Sequence, residues 1–171
     1  KKNTKKIKIL DYGSNLLALS NIKSKINIKL LDFTIYDPFY SKIYKDIKKP
    51  FKINFITDKK KLKLKKFDVV NFGSCLQYFN NIDFLNNYIN FKFTNTILVT
   101  HTPISLTKKY KSKQKNHKTL IQNIHTLNDI KKKFKKIGFN LIFKSRNCDK
   151  YIACEKKQKN TFSLNLIFSK R

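Results

Sequence analysis

Five places in this chain put residues with binding chemistry directly after an apolar run. Asp11-Tyr12-Gly13-Ser14-Asn15 follows the run at 7–10. Asp37 follows 30–36, Asp58 follows 51–56, Gly73-Ser74 closes 67–72, and His101 follows 96–100. Three of the ten acidic residues therefore fall at the ends of the first three runs, in a chain otherwise poor in acid. A carboxylate at the end of a second strand can accept hydrogen bonds from both hydroxyls of a ribose. One after a third strand can take the exocyclic amine of an adenine. A glycine turn opening onto a helix N-terminus allows close backbone approach and offers free N–H groups. Each residue also has a plain structural use. Asp11 could cap a helix, Asp37 before Pro38 is an ordinary turn pair, and Asp58 could be a loop residue beside Lys59. Gly73 and Ser74 could form only a strand-to-helix turn, and Tyr78 and Phe79 suit a core or a lid.

For these residues to meet, the elements between them must return each strand to the same edge of a sheet. The sequence supplies such elements. Ser14 can cap a helix over 14–19, Pro38 can open one over 39–47, and 83–91 carries Phe84, Leu85, Tyr88 and Ile89 on one face. Thr126 caps a helix ending at Ile137, with Gly138 as its stop. Residues 139–143 and 162–168 form the sixth and seventh strands. No helix separates these two, so they should pair as a hairpin. A short extra strand at 151–154 fits the loop between them. The stretch 59–66 reads as a surface connection, and 105–118 as a long basic loop. Strands alternating with helices predict an α/β fold. We expect one domain over 1–171, with seven mostly parallel strands, a C-terminal antiparallel hairpin and helices on both faces. In such sheets ligands bind at the carboxyl ends of the strands, where strand order reverses.

Composition bounds the partners. Lys+Arg is 39 and Asp+Glu is 10, a net charge of +29. A nucleic-acid or other polyanionic partner is one reading. The other is codon bias. Only Arg146 and Arg171 are arginine, and Lys, Asn, Ile, Phe and Tyr, all with AT-rich codons, make up more than half of the chain. Nucleic-acid binders favour the planar fork of Arg, so bias with solvated Lys faces is the preferred reading. No apolar run approaches a membrane span, and residues 1–8 lack the apolar core of a signal peptide. Cys75, Cys148 and Cys154 are odd in number with no paired spacing, which suits three reduced thiols in the cytoplasm and argues against a metal site.

The chain resembles class I S-adenosylmethionine-dependent methyltransferases from about residue 6 to 170. The matching stretches are Ile9-Leu10-Asp11-Tyr12-Gly13-Ser14 and Phe67-Asp68-Val69-Val70-Asn71-Phe72-Gly73-Ser74-Cys75-Leu76-Gln77-Tyr78. With Thr100-His101-Thr102-Pro103, the second stretch is similar to a narrower group encoded among bacterial cell-surface polysaccharide genes. The chain departs from the pattern at Asn15, where a second glycine is usual, and at His101, where the narrower group has Arg. The helix that normally precedes the first strand is missing. The resemblance implies that Asp11 and the Gly13–Ser14 turn hold the methionine end of S-adenosylmethionine, that Asp37 binds ribose, and that Asp58 contacts adenine. It also implies that Ser74, Gln77 and Tyr78 border the cofactor and the substrate entrance. His101 is then the best-placed general base, with Tyr78 beside the acceptor, and His117 and His125 are weaker candidates. The implied acceptor is a small molecule or sugar. The alternatives are an RNA or protein methyltransferase using the Lys-rich surface, and a non-enzymatic polyanion-binding domain. Against amino-group methylation on a base, strand four is not followed by an Asn-Pro-Pro-Tyr-like run.

Overall fold

The computed structural model describes residues 6–13, 28–37, 53–115, 117–148 and 152–170. Ser14, Asn15 and the expected helices over 14–19 and 39–47 lie outside the described residues. Strands β1 (Ile7–Tyr12), β2 (Leu31–Tyr36), β3 (Ile53–Ile56), β4 (Val69–Gly73), β5 (Thr96–Ser105), β8 (Phe139–Arg146) and β9 (Thr161–Lys170) form one sheet. Two further strands, β6 (Tyr110–Gln114) and β7 (His117–Ile124), form a separate hairpin. The seven-stranded sheet has the order β3-β2-β1-β4-β5-β9-β8. β1 to β5 run parallel, and β9 inserts antiparallel between β5 and β8. The C-terminal hairpin and the single antiparallel strand are as the sequence predicts.

The parallel strands read as apolar runs because both of their faces are covered. On one face Leu10, Tyr12, Val70, Phe72, Ile97 and Val99 join the main core. On the other, Phe33, Ile35 and Ile53 form a smaller cluster. Two α-helices are described, α1 (Lys59–Lys63) and α2 (Leu127–Lys136). Both send residues into the main core: Leu62 from α1, and Ile130 and Phe134 from α2. Among the described residues, then, helices cover that face and not both.

α2 follows from its sequence. Leu127, Ile130 and Phe134 recur at helical spacing, with exposed lysines between them. Thr126 Oγ1 accepts the Asp129 N–H at 3.0 Å, and Gly138 at φ +88° ends the helix. Phe134 then stacks between Phe72 and Phe168, with ring centroids 6.2 and 4.8 Å away.

Four expected elements differ. In place of a helix over 83–91 the chain makes a 3₁₀ turn, Ile82–Asn87, capped by Asn81 and held to α2 by an Asp83–Lys133 ion pair. Buried Ile82 and Leu85 are three apart, the repeat of a 3₁₀ turn. The expected connection at 59–66 contains α1, because the Asp58 carboxylate caps the Lys60 N–H at 2.9 Å. The expected loop over 105–118 is largely the β6–β7 hairpin, and Cys154 adds a single bridge to Gln114 at its edge. Finally, β5 continues past Thr100 to Ser105 through a bulge opposite Asn165, with Pro103 paired to Ser163. No helix among the described residues is long and apolar enough to cross a membrane.

Replacing Thr126 by Ala removes one cap bond and is expected to lower unfolding free energy by about 1 kcal/mol. Phe134→Ala empties the middle of the ring stack and should cost about 3–5 kcal/mol. Urea titrations of the two variants should show that order.

Candidate functional site at the carboxyl edge of the sheet

The strand order reverses between β1 and β4, and the turn leaving β1 lies at that point. Gly13 there has φ +71°, and its N–H donates to the Tyr36 carbonyl at 2.9 Å. A Cβ at this position would lie 2.7 Å from Cys75 Cβ, so the turn needs glycine for space as well as for conformation. Cys75 comes this close because β4 ends in a sharp bend. Ser74 is left-handed at φ 53°, with its N–H on the Thr100 carbonyl at 2.8 Å, and it turns the chain back across the end of β1. The Cys75 thiol is then buried and donates to the Tyr12 carbonyl at 3.1 Å. Burial, with the Asp11 and Asp37 carboxylates adding to it, pushes this thiol well above its ordinary pKa, so it stays protonated and donating.

Asp11 and Asp37 are both buried at this edge. Asp11 Oδ1 accepts from Asn71 Nδ2 at 2.8 Å, and Asn71 Oδ1 accepts from Thr100 Oγ1 at 3.2 Å. This polar relay crosses three adjacent strands on the face opposite Tyr12. On the other face the Tyr12 and Tyr36 rings lie 4.6 Å apart. Burial raises both hydroxyls above their ordinary pKa, with the Asp37 and Asp58 carboxylates adding to the rise at Tyr36. The three strand-end carboxylates therefore act on one small region, although Asp58 is exposed and spends one oxygen capping α1. Phe79, Phe84 and Tyr88 continue the aromatic wall, and the Lys59 ammonium sits 5.3 Å from the centre of the Tyr88 ring.

The turn after Ser74 (Leu76–Tyr78) brings Gln77 and Tyr78 to the same edge. Gln77 Nε2 donates to the Ser74 carbonyl at 2.7 Å and to Ser74 Oγ at 3.3 Å. Its Oε1 is buried with no hydrogen-bond partner. Tyr78 is partly exposed, and its hydroxyl donates to Gln114 Oε1 of β6 at 2.9 Å. The hairpin clamps this turn twice more. His125 Nε2 donates to the Phe79 carbonyl at 2.9 Å, and Lys109 Nζ donates to the Asn80 carbonyl at 3.1 Å. A carbonyl only accepts, so Nε2 carries the hydrogen. Burial of His125 lowers its pKa and favours the neutral ring. His125 is thus a structural clamp.

The structure brings Asp11, Gly13, Asp37, Ser74 and Gln77 together around Cys75, with Asp58 and Tyr78 at the rim. His101 stands apart. It is exposed and left-handed at φ 51° on the β5 bulge, with its N–H held by Asn165 Oδ1 at 3.0 Å. Two strand spacings, about 10 Å, separate β5 from β1. Ser14 lies outside the described residues, and exposed His117 sits in the hairpin. The sequence reasoning missed Cys75 as the hub, the Asn71–Thr100 relay and the Tyr12–Tyr36 pair. An asparagine inside an otherwise apolar strand was the one available signal for the relay. Among the described residues no group of His, Cys, Asp and Glu could hold a metal ion.

No protein-family model matches the chain, and no curated protein sequence matches it. Solved structures share its fold. Over 100% of its length the chain is similar to the complex of LepI with SAM, at 9% identity and TM-score 0.61. It is similar over 100% of its length to an S-adenosylmethionine dependent methyltransferase from Mesorhizobium loti, at 12% identity and TM-score 0.63. Over 99% it is similar to magnesium protoporphyrin IX methyltransferase from Synechocystis with bound SAM, at 14% identity and TM-score 0.56. The chain spans 44% of the LepI chain, 94% of the Mesorhizobium chain and 72% of the Synechocystis chain. What it shares with all three is the fold, a mostly parallel Rossmann-like sheet.

Two measurements test this geometry. Gly13 and Gly138 both have positive φ, but a Cβ at Gly138 meets nothing within 4 Å. Gly138→Ala should therefore cost only the backbone term, about 1 kcal/mol, and Gly13→Ala clearly more. Equal losses in urea titration would remove the Cys75 contact from the account. The second concerns His125, whose folded pKa lies below its unfolded value. Between those two values the unfolded chain binds more protons, so stability falls as pH drops. The urea midpoint should decline from about pH 7.5 to about pH 5, and the decline should be smaller in His125→Gln, which keeps an N–H for Phe79.

Proposed function

We propose that this chain is a single-domain, S-adenosylmethionine-dependent methyltransferase with its cofactor at the carboxyl edge around Gly13. The observation that carries this reading is the Gly13 turn at the point of strand reversal, closed by Cys75 and flanked by buried carboxylates on β1 and after β2. The residues present fit such a ligand. Gly13 offers backbone without a side chain, Asp37 can take the paired ribose hydroxyls, and the buried Gln77 Oε1 lacks a donor. Asp11, fixed by Asn71, would face the amino group of the methionine end, and Asp58 at the rim would take the adenine amine. When bound, S-adenosylmethionine supplies an electrophilic methyl group.

The chain's own part is mainly positioning. The bonded turns at Gly13 and Ser74 fix the donors and acceptors in advance, which suits an in-line displacement needing little covalent help. His101 on its bulge would accept the proton lost by the acceptor, and Tyr78 at the rim would orient that acceptor. The shared fold supports the methyltransferase reading, and three free cysteines fit the reducing cytoplasm. The motif resemblance supports a small-molecule or sugar acceptor, in surface-glycan assembly in the narrowest form.

Calorimetric titration with S-adenosylmethionine and S-adenosylhomocysteine at physiological salt tests the proposal. The full-length chain should bind at micromolar concentration, and Asp37→Ala should weaken binding more than tenfold, about 1.4 kcal/mol. A folded chain that binds neither compound overturns the enzyme reading.

A further inference from the structure

Asparagine is a poor strand residue, yet Asn71 stands in the middle of β4, between Val70 and Phe72, with β1 on one side and β5 on the other. An apolar residue would fill that place without needing partners. Both ends of the Asn71 amide are instead spent within the sheet. Nδ2 donates to Asp11 Oδ1 on β1 at 2.8 Å, and Oδ1 accepts from Thr100 Oγ1 on β5 at 3.2 Å. The direction of this chain of bonds is forced. A carboxylate only accepts, so the amide must turn its N–H to Asp11 and its oxygen to Thr100, whose hydroxyl must then donate.

The far end of the relay is itself anchored. The Thr100 carbonyl accepts from the Ser74 N–H at 2.8 Å and from Thr102 Oγ1 at 3.1 Å. The register puts Asp11 beside Asn71 and Thr100 beside Gly73, two residues further along β4, so all three side chains share one face. The orientation of the Asp11 carboxylate is therefore set from β4 and β5. Asp11 is also at the site. It is buried two residues before Gly13. Burial first and the Asp11 charge second raise the pKa of the Cys75 thiol, which places that charge at the crossing of the two turns.

A carboxylate held in one orientation recognises a donor, and a charged donor best. Because it is ordered in advance, binding does not have to pay for ordering it. S-adenosylmethionine offers one such donor, the ammonium of its amino-acid end.

We propose that Asn71 and Thr100 are positioning residues that hold the Asp11 carboxylate for a ligand ammonium group, so that the site selects the amino-acid end of S-adenosylmethionine over the nucleoside alone. The inference rests on the methyltransferase reading. Thr100 acts at a distance, because two strand spacings, about 10 Å, separate β5 from β1 and its hydroxyl reaches Asp11 only through Asn71.

The test is calorimetric titration of the full-length chain with S-adenosylhomocysteine and with 5′-methylthioadenosine, which keeps the nucleoside and the sulfur but lacks the amino-acid end. Asn71→Leu should weaken S-adenosylhomocysteine roughly tenfold or more and 5′-methylthioadenosine less than about twofold. Thr100→Val removes the hydroxyl, keeps the shape and leaves the carbonyl bonds in place. It should show the same selectivity at about threefold, and Thr100→Ser, which keeps the hydroxyl, should stay close to wild type. The double variant Asn71→Leu, Thr100→Val should bind no worse than Asn71→Leu, because the relay is already broken. Equal losses for the two ligands, a Thr100→Ser loss as large as that of Thr100→Val, or independent losses in the double variant would overturn the relay. If Asn71→Leu does not fold, the Thr100 pair decides alone. A wild type that binds neither compound defeats the methyltransferase reading and this inference with it. A wild type that binds both, with no selective loss in any variant, defeats the relay and leaves that reading standing.

Discussion

Where the strand order reverses, two segments of chain compete for the same few ångströms of space. The turn leaving β1 and the turn leaving β4 must both pass there, and Gly13 and Cys75 are the residues that meet. The absence of a side chain at Gly13 lets Cys75 in. The Cys75 thiol then satisfies the Tyr12 carbonyl, and the Gly13 N–H satisfies that of Tyr36. This matters because unpaired backbone groups at a buried strand end are costly. Every strand-end group at the site depends on that crossing. If the two turns were held apart, the Asp11 relay, the Tyr12–Tyr36 pair and the Gln77 amide would no longer share an edge.

The sheet was largely legible in the sequence. Short apolar runs stopped by Asp, Gly or His identified the five parallel strands, and two further runs with no helix between them identified the antiparallel pair. Two kinds of feature were not legible. The β6–β7 hairpin buries Ser112, Gln122 and Asn123, polar residues that give no hydrophobic alternation to read. Their hydrogen bonds, such as Cys154 Sγ to Gln122 Oε1 at 3.0 Å, become visible only when distant segments meet. The turn at 82–87 failed for the opposite reason. Its apolar residues fit both a 3.6 and a 3.0 repeat, and packing against α2 decided between them.

At the site itself, the carboxylates were legible because a parallel sheet makes every strand end an address. The left-handed backbone at Ser74 and His101 was not, because neither residue type demands it. In both cases a neighbouring strand fixes the conformation, through the Thr100 carbonyl at Ser74 and the Asn165 side chain at His101. Such strain held by its surroundings is common where a chain must present groups to a ligand. Charge behaves in a similar way. Composition gave the excess of lysine without saying where in the fold it would lie. Only the fold shows that Lys109 is bonded at the rim.

The most direct test of the carboxyl edge as the cofactor site is amide hydrogen exchange with and without S-adenosylhomocysteine. Protection is expected in two segments far apart in sequence and joined at the strand reversal, 9–13 and 71–79. The amino edge, at 91–96 and 169–170, should be unchanged. Protection confined to the amino edge, or binding with no change at 9–13, would contradict the assignment.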